Sequence, residues 1–138
     1  MKVTTFIIII IIVFFISCEK KSSALDIVYG EWIINEMQYK TERLTVYNLY
    51  IDKKTNWLIF ENKFENKRVK ANYKLYFSKK KEIFLDIYNS TDKKFDGEFI
   101  IEIDTIFSSP QRDEISVEFQ SNDKYFKCYK NIVKKIGQ

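Results

Sequence analysis

The sequence predicts an all-β protein, built as an antiparallel meander of about eight strands. Apolar and polar residues alternate with a period of two through most of the chain after Gly30, which is typical of half-buried strands. Aromatic residues make up 17% of the chain, and their side chains favour strands. The segments between the alternating runs are short and polar, as hairpin connections are. Consecutive hairpins form a meander that can close into a complete or partly open barrel.

The alternation locates each strand in turn. It is clearest near the middle of the chain, where Val69, Ala71 and Tyr73 alternate with Lys70 and Asn72. It is less regular in the first three predicted strands. The predicted strands are residues 31–37, 45–51, 57–61, 69–77, 83–88, 98–107, 114–120 and 125–133. We expect one domain, because the sequence shows neither an internal repeat nor a sign of a second domain.

The connections contain the residues that turns require, and they leave the strands to fill a narrow interior. Asp96 and Gly97 form a favoured turn pair, and Pro110 lies outside the predicted strands. An eight-stranded barrel is just wide enough inside to be filled by side chains or to hold one small ligand. The bulky residues predicted to face inward are Tyr73, Phe77, Phe99, Phe107 and Phe119. A β-sandwich is the alternative arrangement of the same strands.

The N-terminus carries the most specific local pattern. Residues 6–16 are an unbroken apolar run of eleven, shorter than the roughly 20 residues that a spanning helix needs. The run fits the apolar region of a secretory signal peptide, which has about 7–15 residues. It ends in Phe15-Ile16-Ser17-Cys18, which resembles the lipobox of bacterial lipoproteins. The resemblance implies cleavage before Cys18 and a lipid on its sulfur; the alternatives are a plain signal peptide and an uncleaved anchor.

The composition excludes most catalytic and metal chemistry. The chain has no histidine, so it lacks Ser-His-Asp and Cys-His nucleophile systems and imidazole metal ligands. Its three glycines are too scattered for a phosphate-binding loop, and a net charge of +4 does not indicate a nucleic-acid partner. With Cys18 lipidated, Cys128 is left without a disulfide partner, and we expect it to be a small buried apolar residue. We therefore expect no cofactor and no metal.

A group of carboxylates is the one pattern that resembles an acid–base site. Glu98, Glu102 and Asp104 lie on one face of a predicted strand, and Glu114 and Glu118 stand on the next. Paired carboxylates at about 5–9 Å are used in glycoside hydrolysis. The solvent face of an antiparallel strand is also where such charges are least costly, and we expect that role here.

The start of the first strand resembles that of a known family. Gly30-Glu31-Trp32 follows a short apolar lead and resembles the Gly-x-Trp of lipocalins and of small lipocalin-like lipoproteins of Gram-negative bacteria. The likeness extends over residues 30–133 in the number and spacing of strands. It implies that Trp32 closes one end of a barrel, under an arginine from late in the chain. Here the last arginine is Arg112, followed only by lysines such as Lys127 and Lys130.

These features divide the chain into a signal peptide at 1–17, a lipidated tether at 18–29 and a lipocalin-like β domain at 30–138. Glu19 replaces the aspartate that retains some lipoproteins in the inner membrane, so we expect an outer-membrane anchor, facing either the periplasm or the cell surface. The expected function is non-enzymatic binding of a small apolar ligand or a partner protein. The alternative is a β-sandwich of the interaction or immunity type, which acts through its outer surface. An apolar cavity favours the ligand, whereas a filled core with exposed Tyr47, Tyr50 or Trp57 favours surface binding.

Overall fold

The protein is described by a computed structural model over residues 25–44 and 47–135. The predicted signal peptide at 1–17 and the predicted lipid attachment at Cys18 lie outside the described residues, as does most of the predicted tether. Within the described ranges, no helix is long and apolar enough to cross a membrane.

The described chain forms a short helical segment at residues 25–28, nine strands and one short 3-10 helix. The strands are β1 (Gly30–Tyr39), β2 (Glu42–Arg43), β3 (Asn48–Ile51), β4 (Trp57–Asn62), β5 (Lys67–Phe77), β6 (Ile83–Tyr88), β7 (Gly97–Ser108), β8 (Arg112–Gln120) and β9 (Lys124–Val133). The 3-10 helix is Lys93–Phe95, between β6 and β7.

All nine strands belong to one sheet in which every neighbouring pair is antiparallel. From β3 to β9 each strand pairs with the next along the chain, and both β3 and β9 pair with β1, so that eight strands close into a barrel. β2 lies outside this ring and pairs only with the end of β1. The predicted fold class, an antiparallel meander of about eight strands, is confirmed as a closed barrel, and the sandwich alternative is wrong.

β1 closes the barrel because its two halves pair with different strands. Its first half pairs with β3, where Gly30 lies opposite Ile51. The rest of β1 pairs with β9, where Tyr39 lies opposite Lys124. A shift of register within this second pairing marks a bulge, and bulges bend a strand and increase its twist. One long strand therefore serves both sides of the seam.

The barrel has two ends, and different parts of the chain close them. Successive strands run in opposite directions, so the turns after β3, β5 and β7 lie at the end where β1 begins. We call this the tryptophan end, because Trp32 lies there. The connections after β4, β6 and β8 lie at the other end, which we call the phenylalanine end for Phe95.

Alternate residues of the strands fill the interior. Along β5, Val69, Ala71 and Tyr73 are buried while Lys70 and Lys74 are exposed, which confirms the predicted alternation. The buried apolar residues form one cluster, to which all eight barrel strands contribute. Burial of such a continuous apolar core is the dominant favourable contribution to folding.

Phe107 departs from the predicted pattern. It was expected to face inward, but its side chain is 46% exposed. The pairing of β7 with β8 shifts between Thr105 and Phe107, so β7 contains one extra residue there. The insertion changes which face the following side chains occupy, and the prediction for Phe107 is wrong for that reason. Of the other bulky residues predicted to face inward, Tyr73, Phe99 and Phe119 are buried and Phe77 is half-buried.

Short polar side chains hold the hairpin turns. In the β3–β4 turn, an Asp52 carboxylate oxygen accepts a 3.2 Å hydrogen bond from the Lys54 amide, and the other accepts a 2.5 Å bond from the Thr55 hydroxyl. In the β4–β5 turn, Asn62 Oδ1 accepts hydrogen bonds from two successive backbone amides. These are the local bonds that make Asp and Asn frequent in turns.

Candidate functional site

The interior of the barrel is occupied by aromatic rings. Phe126 of β9 is central: its ring stacks on Phe119 at 4.3 Å between centroids and meets Phe99 edge-on at 5.1 Å. It also meets Phe60 edge-on at 5.8 Å. Stacked and edge-to-face pairs at these separations add to the stabilisation that burial already provides. All four side chains are 0–1% exposed, so this part of the interior holds side chains where a ligand carrier would have a cavity.

Phe95 closes the phenylalanine end of this cluster from a loop. Its ring lies 4.6 Å from Phe60 and 5.6 Å from Tyr47, and it is 2% exposed.

The loop that carries Phe95 is held in place by its own polar groups. The Asp92 carboxylate accepts from the Lys94 amide at the start of the 3-10 helix. The Asp96 carboxylate, at the end of the helix, accepts a 2.9 Å hydrogen bond from the Ser90 amide. The loop therefore presents Phe95 to the interior in a fixed position.

Tyr47 belongs to the same closure. Tyr47 is 4% exposed and packs edge-on against Phe95, so it does not belong to an exposed aromatic patch. Burial, followed by the nearby carboxylates of Glu65 and Asp92, raises the pKa of the Tyr47 hydroxyl. The hydroxyl therefore stays neutral over the physiological range. The phenylalanine end thus lacks the open apolar mouth that a small ligand would need.

Trp32 closes the opposite end and is fully buried. Its indole Nε1 donates a 2.8 Å hydrogen bond to the Val28 carbonyl, in the short helical segment at residues 25–28. Val28 is itself fully buried, and Ile27 and Tyr29 pack against the core. The tether predicted over 18–29 overlaps this segment, so its last residues contribute to the packed body of the protein.

Lys130 of β9 covers the indole of Trp32. Its Nζ lies 4.3 Å from the centroid of the indole ring and donates a 2.8 Å hydrogen bond to the Tyr29 carbonyl and a second bond to the Ile27 carbonyl. Burial lowers the pKa of this amine from 10.5 to about 8. The two carbonyls and the face of the ring are all groups that attract a cation. A lysine here takes the place in which the family resemblance implies an arginine.

Outside the barrel, a group of exposed aromatic residues crosses β3, β4 and β6. It consists of Tyr50, Trp57 and Tyr88, which are 48%, 46% and 39% exposed, and we call it the Trp57 patch. The Lys70 ammonium lies 2.9 Å from the centre of the Trp57 ring. Beside the ring is a shallow cavity of about 190 Å³, whose walls include Lys70 and Asn72. Exposed aromatic rings with a nearby cation are typical of protein-binding surfaces.

A second surface feature is a groove of about 640 Å³ across β6, β7 and β8. Its floor is apolar, with Phe84 directly opposite Ile100. The carboxylates along it are Glu82, Glu98, Glu102, Glu118 and Asp123, and we call it the acidic groove.

The structure brings together some of the carboxylates that the sequence singled out. Glu102 and Glu118 are direct cross-strand neighbours on the outside of the barrel, and the Lys127 amine binds Glu118 at 2.6 Å. Glu114 lies away from them, opposite Phe107. The carboxylates therefore line an open surface, as expected for solvated strand faces.

The remaining catalytic candidate is Cys128, which is fully buried in the core. Burial raises the pKa of the Cys128 thiol well above its ordinary value, so the thiol stays protonated and unreactive at neutral pH. Among the described residues, no group of three or more acidic or cysteine side chains is placed to hold a metal ion.

The sequence analysis did not predict that Phe95 and Lys130 cover the ends of the barrel, although the sequence contains a signal for each. Phe95 is a lone aromatic residue within the polar stretch between β6 and β7, which marks it as a residue that needs burial. Lys130 shares the inward register of Phe126 and Cys128, and a lysine in that register requires polar partners inside the fold.

The chain matches no known family model, no curated protein and no solved structure. Its likeness to lipocalins therefore rests on the closed barrel and on the Gly30-Glu31-Trp32 pattern. The function is inferred from the interior, the two ends and the outer surface.

Proposed function

We propose that this protein is a non-enzymatic, lipid-anchored protein of the cell envelope whose lipocalin-like barrel binds a partner protein through its outer surface. The observation that carries the proposal is the filled interior. Phe60, Phe99, Phe119 and Phe126 are packed against one another inside the barrel. Because Trp32 and Phe95 cover the two ends of the barrel, another molecule can bind this protein at its outer surface.

The Trp57 patch supports this choice. Large apolar side chains that stay exposed on a small barrel cost solubility, and contiguous ones often mark interaction sites. Tyr50 and Trp57 lie on adjacent strands, and Tyr88 lies two strands from Trp57 on the same outer face. Aromatic and cationic groups of this kind dominate the binding energy of protein interfaces.

The anchoring part of the proposal comes from the sequence. The apolar run at 6–16 and Cys18 support lipidation, and two or more acyl chains hold a protein stably at a membrane. We place the protein on the outer membrane of a Gram-negative bacterium, in the periplasm or at the surface. The membrane is then one partner, through the lipid on Cys18, and an envelope protein is the other.

Binding of a small apolar ligand inside the barrel is the competing function from the family resemblance. It needs space that the aromatic cluster occupies, and entry past Trp32 or Phe95. The two functions therefore differ in which positions touch another molecule.

Site-specific photo-crosslinking in intact cells separates them. A photoreactive phenylalanine replaces Trp57 on the outside or Phe95 at the barrel end, and exposed Lys63, in the β4–β5 turn, serves as the control position. We expect adducts of protein size from position 57 and none from position 63. Adducts of a few hundred daltons from position 95, with none from position 57, would show instead that the barrel carries a small ligand.

The anchor is tested separately in the same cells. Cys18→Ser should abolish incorporation of a fatty-acid analogue and release the protein from the membrane fraction. Equal labelling of both proteins would show that the lipid is elsewhere.

A further inference from the structure

β7 has an edge that the rest of the barrel leaves open. β7 is 12 residues long, but β6 pairs only with its first part, ending with Ile83 opposite Ile101. Residues 102–108 pair with β8 on one side, and among the described residues no strand lies on the other. The chain turns away at the β5–β6 hairpin, just before β6 begins. Backbone donors and acceptors on that side of β7 are therefore free to bind a further strand.

The open edge also carries exposed apolar side chains. Ile106 is 52% exposed and Phe107 is 46% exposed, next to the bulge that ends the regular pairing. Proteins usually protect an open edge with short strands, bulges or charges, because unpaired edges associate with other strands. Here the bulge disturbs only the far part of the edge, and the residues nearest β6 remain in regular register with β8.

The acidic groove adjoins this edge. Glu102 belongs to both features, and Glu82 stands at the end of the β5–β6 turn, just before β6 begins. The apolar floor at Phe84 and Ile100 continues the same outer face. Five carboxylates and the amine of Lys124 line the groove, so the groove is net acidic on a chain whose net charge is +4.

We propose that the free edge of β7 and the acidic groove together accept an extended, basic segment of a partner protein, which adds as a strand beside residues 102–108. The segment takes the position that β6 would occupy if it were longer. Main-chain hydrogen bonds to β7 would supply affinity, and the basic side chains nearest β6 would meet Glu82 and Glu102, where the groove reaches the edge. This surface is separate from the Trp57 patch, so the inference stands or falls independently of that contact.

Charge favours a basic segment over a second copy of the same chain. Two copies that paired through this edge would bring Glu82, Glu102 and Asp104 of one close to those of the other. Like charges placed opposite one another destabilise a strand pair, whereas lysine or arginine side chains would neutralise them. These carboxylates therefore disfavour self-association and attract a basic strand, whose contacts are with Glu102 and Asp104 on the outer face of β7 and not with the lysines at 79–81 in the β5–β6 turn.

The test uses the full lipidated chain in phosphatidylcholine nanodiscs. The probes are two fluorescent ten-residue peptides, one alternating lysine with valine and the other alternating glutamate with valine. We expect saturable binding of the basic peptide alone, together with slower hydrogen exchange of the amides in residues 102–108. Binding without that protection would overturn strand addition, and sedimentation as dimers joined through this edge would overturn the choice of partner.

A matched pair of variants locates the site. Replacing Glu82 and Glu102 with glutamine should weaken binding of the basic peptide about tenfold, since it removes two carboxylates beside the added strand. The control variant replaces Glu31 and Glu61, on the outer faces of β1 and β4, with glutamine. It should change binding of the basic peptide less than about twofold. Equal losses from the two pairs would show that the peptide responds only to overall charge.

Discussion

The two ends of the barrel are closed by different physical means. At the tryptophan end the closure is polar: the Trp32 indole donates to the Val28 carbonyl, and the buried Lys130 amine donates to two more carbonyls. At the phenylalanine end the closure is apolar, since a loop inserts Phe95 among Phe60 and Tyr47.

The difference shows which closure depends on conditions. A buried amine responds to pH, and its hydrogen bonds fix the geometry of the chain before β1. An aromatic ring on a loop responds mainly to changes in packing, and a smaller side chain there leaves a void. The two ends can therefore be disturbed separately by substitution and by pH.

Trp32→Ala should have the largest effect on stability. The change removes a fully buried indole and its hydrogen bond to Val28, and such truncations cost about 3–5 kcal/mol. Against a total of about 5–15 kcal/mol, the urea midpoint should fall sharply. A midpoint close to that of the wild type would mean that Trp32 does not hold the end closed.

Phe95→Ala should cost somewhat less, about 2–4 kcal/mol, because a loop can relax partly into the space that the ring vacates. The remaining void is lined by apolar groups such as Phe60 and Tyr47, and dry apolar voids bind small aromatic molecules. Benzene should therefore raise the melting temperature of Phe95→Ala and leave that of the wild type unchanged. Stabilisation of the wild type by benzene would indicate a pre-existing cavity.

Lys130 makes stability at the tryptophan end depend on pH. Burial lowers its pKa to about 8 in the folded state, below the value near 10.5 of an ordinary lysine. The folded protein thus binds fewer protons than the unfolded chain between these values, so stability rises as pH increases through this window. Relative to Lys130→Met, the wild type should gain about 1–2 kcal/mol between pH 7 and pH 10, after allowance for partial solvent exposure. Urea denaturation of both proteins at the two pH values measures the gain, and a difference independent of pH would contradict the lowered pKa.

Trp57→Ala should have the smallest effect on stability, below about 1 kcal/mol, because the side chain is half exposed and packs against Lys70 outside the core. Its effect should appear in partner binding instead. A loss as large as that of Trp32→Ala would mean that Trp57 supports the barrel itself.

The sequence predicted the fold better than it predicted which residues close the two ends of the barrel. Regular alternation predicted the strands from β5 to β9 and the burial of Phe99 and Phe119, because each strand buries one face. It failed at Phe107, where one inserted residue changes the face, and a bulge leaves no mark in composition. The burial of Tyr47 depends on the Phe95 loop that folds over a barrel end, and alternation says nothing about such a loop.

The outer surface was the hardest part to predict. The acidic groove brings residues of β6, β7 and β8 together through their register, which alternation alone does not determine. The open edge of β7 depends on the relative lengths of two neighbouring strands. Both features follow from long-range pairing, and a single sequence gives no independent signal of pairing.

The most direct test of the central claim, that the barrel is filled and acts from its outside, is xenon binding in crystals. Xenon enters apolar cavities and is located by its anomalous scattering. Crystals of the wild type under xenon pressure should show no xenon inside the ring of eight strands, whereas Phe95→Ala should show it in the vacated site beside Phe60. Well-occupied xenon inside the wild-type barrel would contradict the account and would favour binding of a small ligand inside the barrel.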